Sequence, residues 1–242
     1  NYNNILFHLK DHSNSSSDIS LESTGTFNAS RFAEKIVLSE LSKLLKLKFD
    51  SVSGYITTGG TESNIYALWV ARNWALSKST KKIHWIIPQT SHYSILKAID
   101  LLGLHYDDRN IIQTTGVNEQ FVTDVDKIKQ QLQLAKKNNS QSPVIIVLTA
   151  MTTEFGLIDP INEICRFVQT NKYKNVYIHI DACYSGFILP FIKKYSELFS
   201  RQEISSISVD FHKTYGGPIG SGAILLNFGL YKYAKIYSPY LS

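Results

Sequence analysis

Short apolar segments rich in β-branched residues recur along this chain, and patterns of helical period separate them. The strand candidates lie at 83–88, 144–149, 176–180, 206–210 and 223–226, with helical patterns at 93–102, 124–137 and 160–170 between them. Strands that alternate with helices predict a largely parallel sheet covered on both faces. The run VIIVL at 144–148 fits that prediction, because a strand buried on both sides has no polar face to alternate. Residues 54–73, GYITTGGTESNIYALWVARN, read as a strand, a glycine turn and a broadly apolar helix carrying Ile65, Leu68, Trp69 and Val70. Upstream, Phe32, Ile36, Leu41, Leu44 and Leu45 recur at near-helical spacing, which predicts an amphipathic helix over 29–47 with Ser30 as its N-cap.

The 242 residues suffice for one sizeable core, and no internal repeat or linker divides them. The expected organisation is a polar segment at 1–28, with a serine-rich loop at Ser13–Ser17, followed by one large domain at 29–242. The formal charge of +5 comes from scattered pairs such as Lys81–Lys82, Lys136–Lys137 and Lys193–Lys194. These form no stripe and no repeated interleaving with aromatic residues, which argues against nucleic-acid binding. No apolar run approaches the roughly 20 residues of a membrane span. Cys165 and Cys183 make neither a disulfide framework nor a metal-ligand spacing. Without a signal-peptide pattern, the expectation is a cytoplasmic protein that holds no metal. The chain opens on Asn1 and contains one methionine, Met151, which predicts a processed, trimmed or incompletely represented chain.

In a parallel α/β sheet, ligands gather at the carboxyl ends of the strands. Gly59, Gly60, Thr61, His92, Thr152, Thr153, Glu154, Asp181 and Lys213 all fall at such ends. Two glycines before a helix let the backbone approach an anion, with hydroxyls from Thr61 and Ser63 as further donors; an ordinary βα turn reads the same way. The spacing is neither the Walker nor the dinucleotide pattern, so ATP and NAD are weakly supported. His92 can stack on a planar cofactor or move a proton, and it also suits a helix start. Asp181 ends a buried strand, where a carboxylate needs a cationic partner such as a protonated pyridine nitrogen; a helix cap or an Asx-turn is the rival. Ala182 and Cys183 leave room for a flat ring, with Cys183 a small buried hydrophobe. Lys213 follows a strand that ends at Asp210 and precedes Gly216, Gly217, Gly220 and Gly222. A lysine so placed can form a Schiff base once desolvation or a neighbouring cation lowers its pKa. A phosphate cradle, a stacking histidine, a carboxylate and an anchoring lysine together are what pyridoxal 5'-phosphate requires.

From about residue 27 to 226 the chain resembles the group II pyridoxal-phosphate-dependent amino-acid decarboxylases. The resemblance is carried by GYITTGGTESN, TSHYSILKAIDLLGL, TTEFGLIDPI, HIDACYSGFILPF and SISVDFHKTYGGPIGSG. It implies the large domain of the type I, aspartate-aminotransferase-like pyridoxal-phosphate fold. It implies that Lys213 holds the cofactor as a Schiff base, that Asp181 pairs with the ring nitrogen and that His92 covers the ring face. Gly60 and Thr61 would bind the phosphate with help from Asp210 and His212, and Thr153 and Cys183 would line the cofactor. Through EFGLIDPI and ILPF the chain looks most like the microbial tyrosine/aspartate decarboxylases, with bacterial histidine decarboxylases near. DAC and SISVDFHK are also similar to the sphingosine-phosphate lyases. Cys183 stands where many decarboxylases have alanine, and Ser185 where a second glycine is common. The resemblance implies decarboxylation of an L-amino acid to its amine, in a homodimer. Tyr55, Tyr93 and Tyr184 are candidates for lining the substrate pocket. Relatives continue into a small C-terminal domain, and since this sequence stops at Ser242 the expectation is a large domain incomplete at its C-terminus. Two rival expectations therefore stand: a carbon–carbon lyase, and a silent truncated chain that serves as a binding or assembly partner.

Overall fold

The computed structural model describes residues 28–47, 52–79 and 82–234. Seven strands form one sheet: β1 (Val52–Thr57), β2 (Ile83–Pro88), β3 (Asn110–Thr115), β4 (Val144–Thr149), β5 (Val176–Asp181), β6 (Ile204–Asp210) and β7 (Gly222–Asn227). The helices are α1 (Asn28–Leu44), α2 (Gly60–Lys78), α3 (Tyr93–Leu101), α4 (Val125–Asn138), α5 (Ile161–Thr170) and the single turn α6 (Phe211–Thr214). The strand order is β1-β7-β6-β5-β4-β2-β3. Strands β3, β2, β4, β5 and β6 run parallel, whereas β7 is antiparallel to both β6 and β1. No crossover helix separates β6 from β7, so the chain turns back beside the strand it has just left. Of the expected polar segment 1–28, the serine-rich tract and all else up to residue 27 lie outside the described residues.

The central strands bury side chains on two faces, and the alternation within β4 shows how. Ile146 and Leu148 join a core with Leu38, Leu41 and Leu45, Ile128 and Leu132 of α4, and Ile161, Ile164 and Val168 of α5. Ile145 and Val147 point the other way, toward Ala67, Leu68 and Ala71 of α2 and Ile95 and Ile99 of α3. Each such aliphatic side chain contributes about 1.5–3 kcal/mol on leaving water. Ala67, Ala71 and Ala75 lie on one stripe of α2 and are fully buried, which lets that helix press closely on the sheet.

The described helices and strands follow the sequence pattern closely, with two departures. The helix predicted at 29–47 begins at Asn28, so Ser30 lies inside α1 rather than at its cap. Strand β3 carries no sequence prediction: NIIQTT is a half-exposed edge strand paired only with β2, and its polar residues mask the period-two signal. Among the described residues no helix is long and apolar enough to cross a membrane.

The strand order reverses between β2 and β4, since β3 lies outside β2 and the chain then returns to its inner side. A crevice at the carboxyl ends of the strands is the consequence of such a reversal.

Candidate active site

A cavity of about 290 Å³ opens at that crevice. Thr58, Gly59, Gly60 and Thr61 reach it from the end of β1 and the start of α2, and His92 from the turn after β2. Thr149, Met151 and Thr153 come from β4 and its loop, Asp181 and Cys183 from β5, and Asp210, His212 and Lys213 from β6 and α6. The nine residues singled out for cofactor binding therefore line one cavity.

The turn into α2 shows why glycine is needed. Gly59 has φ of 140°, a conformation that side chains disfavour. A Cβ on Gly60 would lie 2.5 Å from Cys183 Sγ and 3.0 Å from Asp210 Oδ2. The first-turn N–H groups of α2 have no helical acceptor and carry the positive end of the helix dipole. Glu62 fixes this turn by accepting from Thr58 N at 2.7 Å, Thr58 Oγ1 at 2.7 Å and Tyr55 Oη at 2.8 Å. Burial works against the Glu62 carboxylate, yet these three donors hold its pKa below the usual value. Ser63 is not available to an anion. Its hydroxyl is engaged with Thr57 Oγ1 at 2.7 Å and Gly59 O at 3.3 Å, beneath the turn.

Asp181 sits at the centre of the cavity floor. Register aligns it with Thr149 on β4 and Ser208 on β6. Oδ1 accepts from Cys183 N at 3.1 Å, an Asx-type contact, and Oδ2 accepts from Asn64 Nδ2 at 2.8 Å. The same Nδ2 donates to Ser94 Oγ at 2.8 Å, and Ser94 Oγ lies 2.8 Å from His92 Nδ1. Asn64 Oδ1 accepts from Ser208 Oγ at 2.6 Å and faces His179 Nε2 at 3.0 Å. His179 Nδ1 meets Ser206 Oγ at 2.8 Å, and burial pushes this histidine down to about 4.

His92 caps α3 by accepting from Ser94 N at 3.3 Å, as the helix-start reading has it, and the same residue lines the cavity. The Tyr93 ring lies 4.2 Å from it, centroid to centroid. Burial lowers the His92 pKa; Asp181 opposes this and Lys213 assists it.

Lys213 Nζ lies 3.3 Å from Asp210 Oδ2, and His212 Nε2 lies 3.9 Å from the same oxygen. Burial disfavours the Lys213 ammonium, but Cys183, Asp210 and Asp181 outweigh it and raise the pKa. The charged neighbours are the two carboxylates, since burial holds the Cys183 thiol well above its ordinary range. This reverses the lowered lysine pKa expected from desolvation or a neighbouring cation: both neighbouring charges are negative. Burial raises the Asp210 pKa, with Lys213 and His212 pulling it back.

The loop after β4 is pinned from below by Asp159. Its carboxylate accepts from Thr123 Oγ1 at 2.5 Å and Thr149 N at 2.6 Å, and burial pushes it up to about 6. Met151, at φ 84°, and Thr153 are thereby set at the cavity wall. Of the three tyrosines, Tyr93 and Tyr184 line the cavity, whereas Tyr55 is buried behind the α2 turn as the donor to Glu62.

Pyridoxal phosphate fits these residues on two observations. Thr149 Oγ1 and Asp210 Oδ1 are buried on the cavity wall with no hydrogen-bond partner, so polar capacity remains for a ligand. Glycine at 59 and 60 also keeps side chains off the turn that borders the cavity, with Gly59 at φ 140° and no room for a Cβ on Gly60. Sequence reasoning missed Asn64, Glu62 and Thr149 as parts of the site. For Asn64 a signal existed: it stands four residues after Gly60, hence on the same helical face as the glycine that meets the cavity.

Known proteins place this arrangement in context. Residues 29–228 match the family described as the pyridoxal-dependent decarboxylase conserved domain. The chain is 35% identical over 224 residues to a probable L-tyrosine/L-aspartate decarboxylase of Methanothermobacter thermautotrophicus, covering 90% of this chain and 56% of that protein. A protein of the same description from Methanococcus maripaludis C5 is 34% identical over 234 residues, covering 93% and 57%. This chain thus spans a little over half the length of these curated relatives. Among solved structures, the glutamate decarboxylase domain of a Vibrio parahaemolyticus diaminobutyrate-pyruvate transaminase and L-2,4-diaminobutyrate decarboxylase superposes with TM-score 0.72 at 26% identity. That match covers 85% of this chain and 46% of the other. A Burkholderia pseudomallei sphingosine-1-phosphate lyase shares the fold, with TM-score 0.65 at 20% identity over 84% of this chain and 45% of that one.

Proposed function

This chain belongs to the pyridoxal-dependent decarboxylase family, and from that premise we propose that it acts in pyridoxal-phosphate-dependent decarboxylation of an L-amino acid to the corresponding amine. Family membership implies pyridoxal 5'-phosphate as the cofactor. The observation that carries the reading is the convergence of Lys213, Asp181, His92 and the α2 N-terminus on one cavity. The proposed unit is a cofactor-binding large domain over 29–242, working as a homodimer.

When bound, pyridoxal phosphate supplies an electron sink for the pair left behind as carbon dioxide departs. The residues of this chain hold and surround it. Lys213 would hold the cofactor aldehyde through its side-chain amine and would release it to a substrate amine. Gly60 and Thr61 direct unpaired backbone N–H groups of α2 at the phosphate. His212 faces it as a further donor. Asp210 is better suited to orienting His212 and Lys213 than to touching phosphate, because two anions in contact repel. The Asp181 carboxylate keeps a proton on the ring nitrogen. His92 packs on one ring face and excludes water from it, with Thr153 and Cys183 as neighbours. Tyrosine and aspartate, the substrates in the relatives' names, are the first amino acids to assay.

Borohydride reduction after addition of pyridoxal phosphate, followed by peptide mass mapping, tests the reading directly. The expected result is a pyridoxyl adduct on Lys213. A folded protein with no adduct there would overturn it and favour a silent chain. Product analysis adds the second decision: amine with carbon dioxide supports decarboxylation, whereas an aldehyde product from a phosphorylated amino alcohol supports the carbon–carbon lyase.

A further inference from the structure

We propose that Asn64 is a positioning residue that joins Asp181 to His92 through one directed hydrogen-bond chain, which together with the Ser94 backbone N–H holds the proton of His92 on Nε2. Four partners surround the Asn64 amide: Asp181 Oδ2 and Ser94 Oγ at Nδ2, each at 2.8 Å, and Ser208 Oγ and His179 Nε2 at Oδ1, at 2.6 and 3.0 Å. An asparagine side chain has two donor hydrogens and two acceptor lone pairs, so its capacity is full. The residue is 1% exposed, which leaves no water to exchange for a lost partner.

The Asp181 carboxylate sets the direction. It only accepts when ionised, and its other oxygen already accepts from Cys183 N. The amide N–H must therefore face Asp181, since the opposite orientation would bring a carbonyl oxygen against a carboxylate oxygen at 2.8 Å. With Nδ2 fixed, its second hydrogen goes to Ser94 Oγ. Ser94 then has its hydroxyl hydrogen free to donate to His92 Nδ1. Nδ1 also accepts from Ser94 N, so both of its contacts require a bare nitrogen. In the neutral ring the proton of His92 consequently resides on Nε2. On the other side, Asn64 Oδ1 is an acceptor, so His179 carries a proton on Nε2; burial keeps the ring neutral, and Nδ1 then accepts from Ser206 Oγ.

Asn64 thus acts on the site from the cavity wall, holding the Asp181 carboxylate in place and helping to keep an N–H on Nε2 of His92. Ser94 is the link to His92 alone, whereas Asn64 reaches Asp181, His92 and His179. The chain is a property of the folded protein itself. Only its use in cofactor binding rests on the function proposed above.

The test is nitrogen-15 NMR on the 242-residue chain labelled at histidine, without cofactor, with the His92 and His179 signals assigned by substitution. The expected spectrum has both histidines protonated at Nε2 at neutral pH. In Asn64→Ala, His179 should lose that preference and the His92 titration midpoint should move, while the Ser94 backbone N–H keeps the neutral His92 ring protonated on Nε2. In Ser94→Ala, His92 alone should change and His179 should keep its wild-type signals. Finding His92 protonated on Nδ1 in the wild type would overturn the proposal. So would finding the His92 titration midpoint unmoved by Ser94→Ala, a variant that keeps the decision open should Asn64→Ala fail to fold. Separately, Asn64→Ala should bind pyridoxal phosphate about tenfold more weakly through the loosened Asp181 carboxylate. A wild-type protein that binds no pyridoxal phosphate would sink the proposed function and leave the hydrogen-bond chain standing.

Discussion

Lys213 Nζ stands 3.3 Å from Asp210 Oδ2, three residues back at the end of β6. Burial disfavours the Lys213 ammonium, yet its pKa is raised overall, and Asp210 is one of the groups that favour the charged form. Attachment of an aldehyde needs the neutral amine. The rate of pyridoxal phosphate attachment should therefore rise with pH, and Asp210→Asn should move that profile to lower pH. Stopped-flow absorbance across pH 6–10 measures it, and a profile that stays put or moves upward would refute the role given to Asp210.

Gly60 packs its Cα against Cys183 and Asp210, which leaves no space for a methyl group. Gly60→Ala should lower stability by about 1–3 kcal/mol, the usual range for overpacking. Cys183→Ala removes the sulfur that a new Cβ would meet at 2.5 Å. The double variant should recover part of the loss in denaturant titrations, and purely additive effects would argue against this contact as the source.

Two buried groups oppose each other in acid. His179, pushed down to about 4, binds its proton less readily when folded than when unfolded. Its share of stability, about 3 kcal/mol, is full above pH 6.5 and lost as pH falls to 4. Asp159, pushed up to about 6, binds its proton more readily when folded. Its contribution runs the other way, gaining about 3 kcal/mol as pH falls from 6 to 4. Their effects offset, so Asp159→Asn should steepen the acid loss of stability by up to about 1.4 kcal/mol per pH unit between 6 and 4. Chemical denaturation at several pH values reads that slope, and an unchanged slope would contradict the assignment to Asp159.

Tyr55 contributes one of the three donors that hold Glu62 under the α2 turn. Tyr55→Phe keeps the buried ring and removes the donor, so stability should fall by about 1–2 kcal/mol, the scale of a hydrogen bond to a charged group. Affinity for pyridoxal phosphate should fall with it, because the turn presenting Gly60 and Thr61 loosens. Titration with the cofactor gives the second readout. A stability loss with unchanged affinity would mean that the other two donors fix the turn by themselves.

Much of the fold was legible in local pattern. Unbroken apolar runs such as VIIVL can only be strands buried on both faces, and the helices between them forced the parallel order. The elements that escaped were those whose environment is not local. NIIQTT becomes β3 only because Ile83–Pro88 offers it a hydrogen-bonding edge, and β7 reverses direction because the connection after β6 lacks a crossover helix.

The same division runs through the cavity. Residue type and position at strand ends were enough to pick out Lys213, Asp181, His92 and the Gly59–Gly60 turn, since their chemistry is unusual at such positions. Ser63 shares that local context, yet its hydroxyl is turned beneath the turn to Thr57. Asn64 looked like one more polar residue in an apolar helix, although it joins groups 30 and 117 residues away. The sign of the Lys213 shift was likewise out of reach, because it depends on Asp181 and Asp210 facing one amine across the ends of two strands. Sequence alone determined which side chains were present and which strands carried them. Distance and burial, which exist only once the sheet has closed over its helices, decided which of them act on each other.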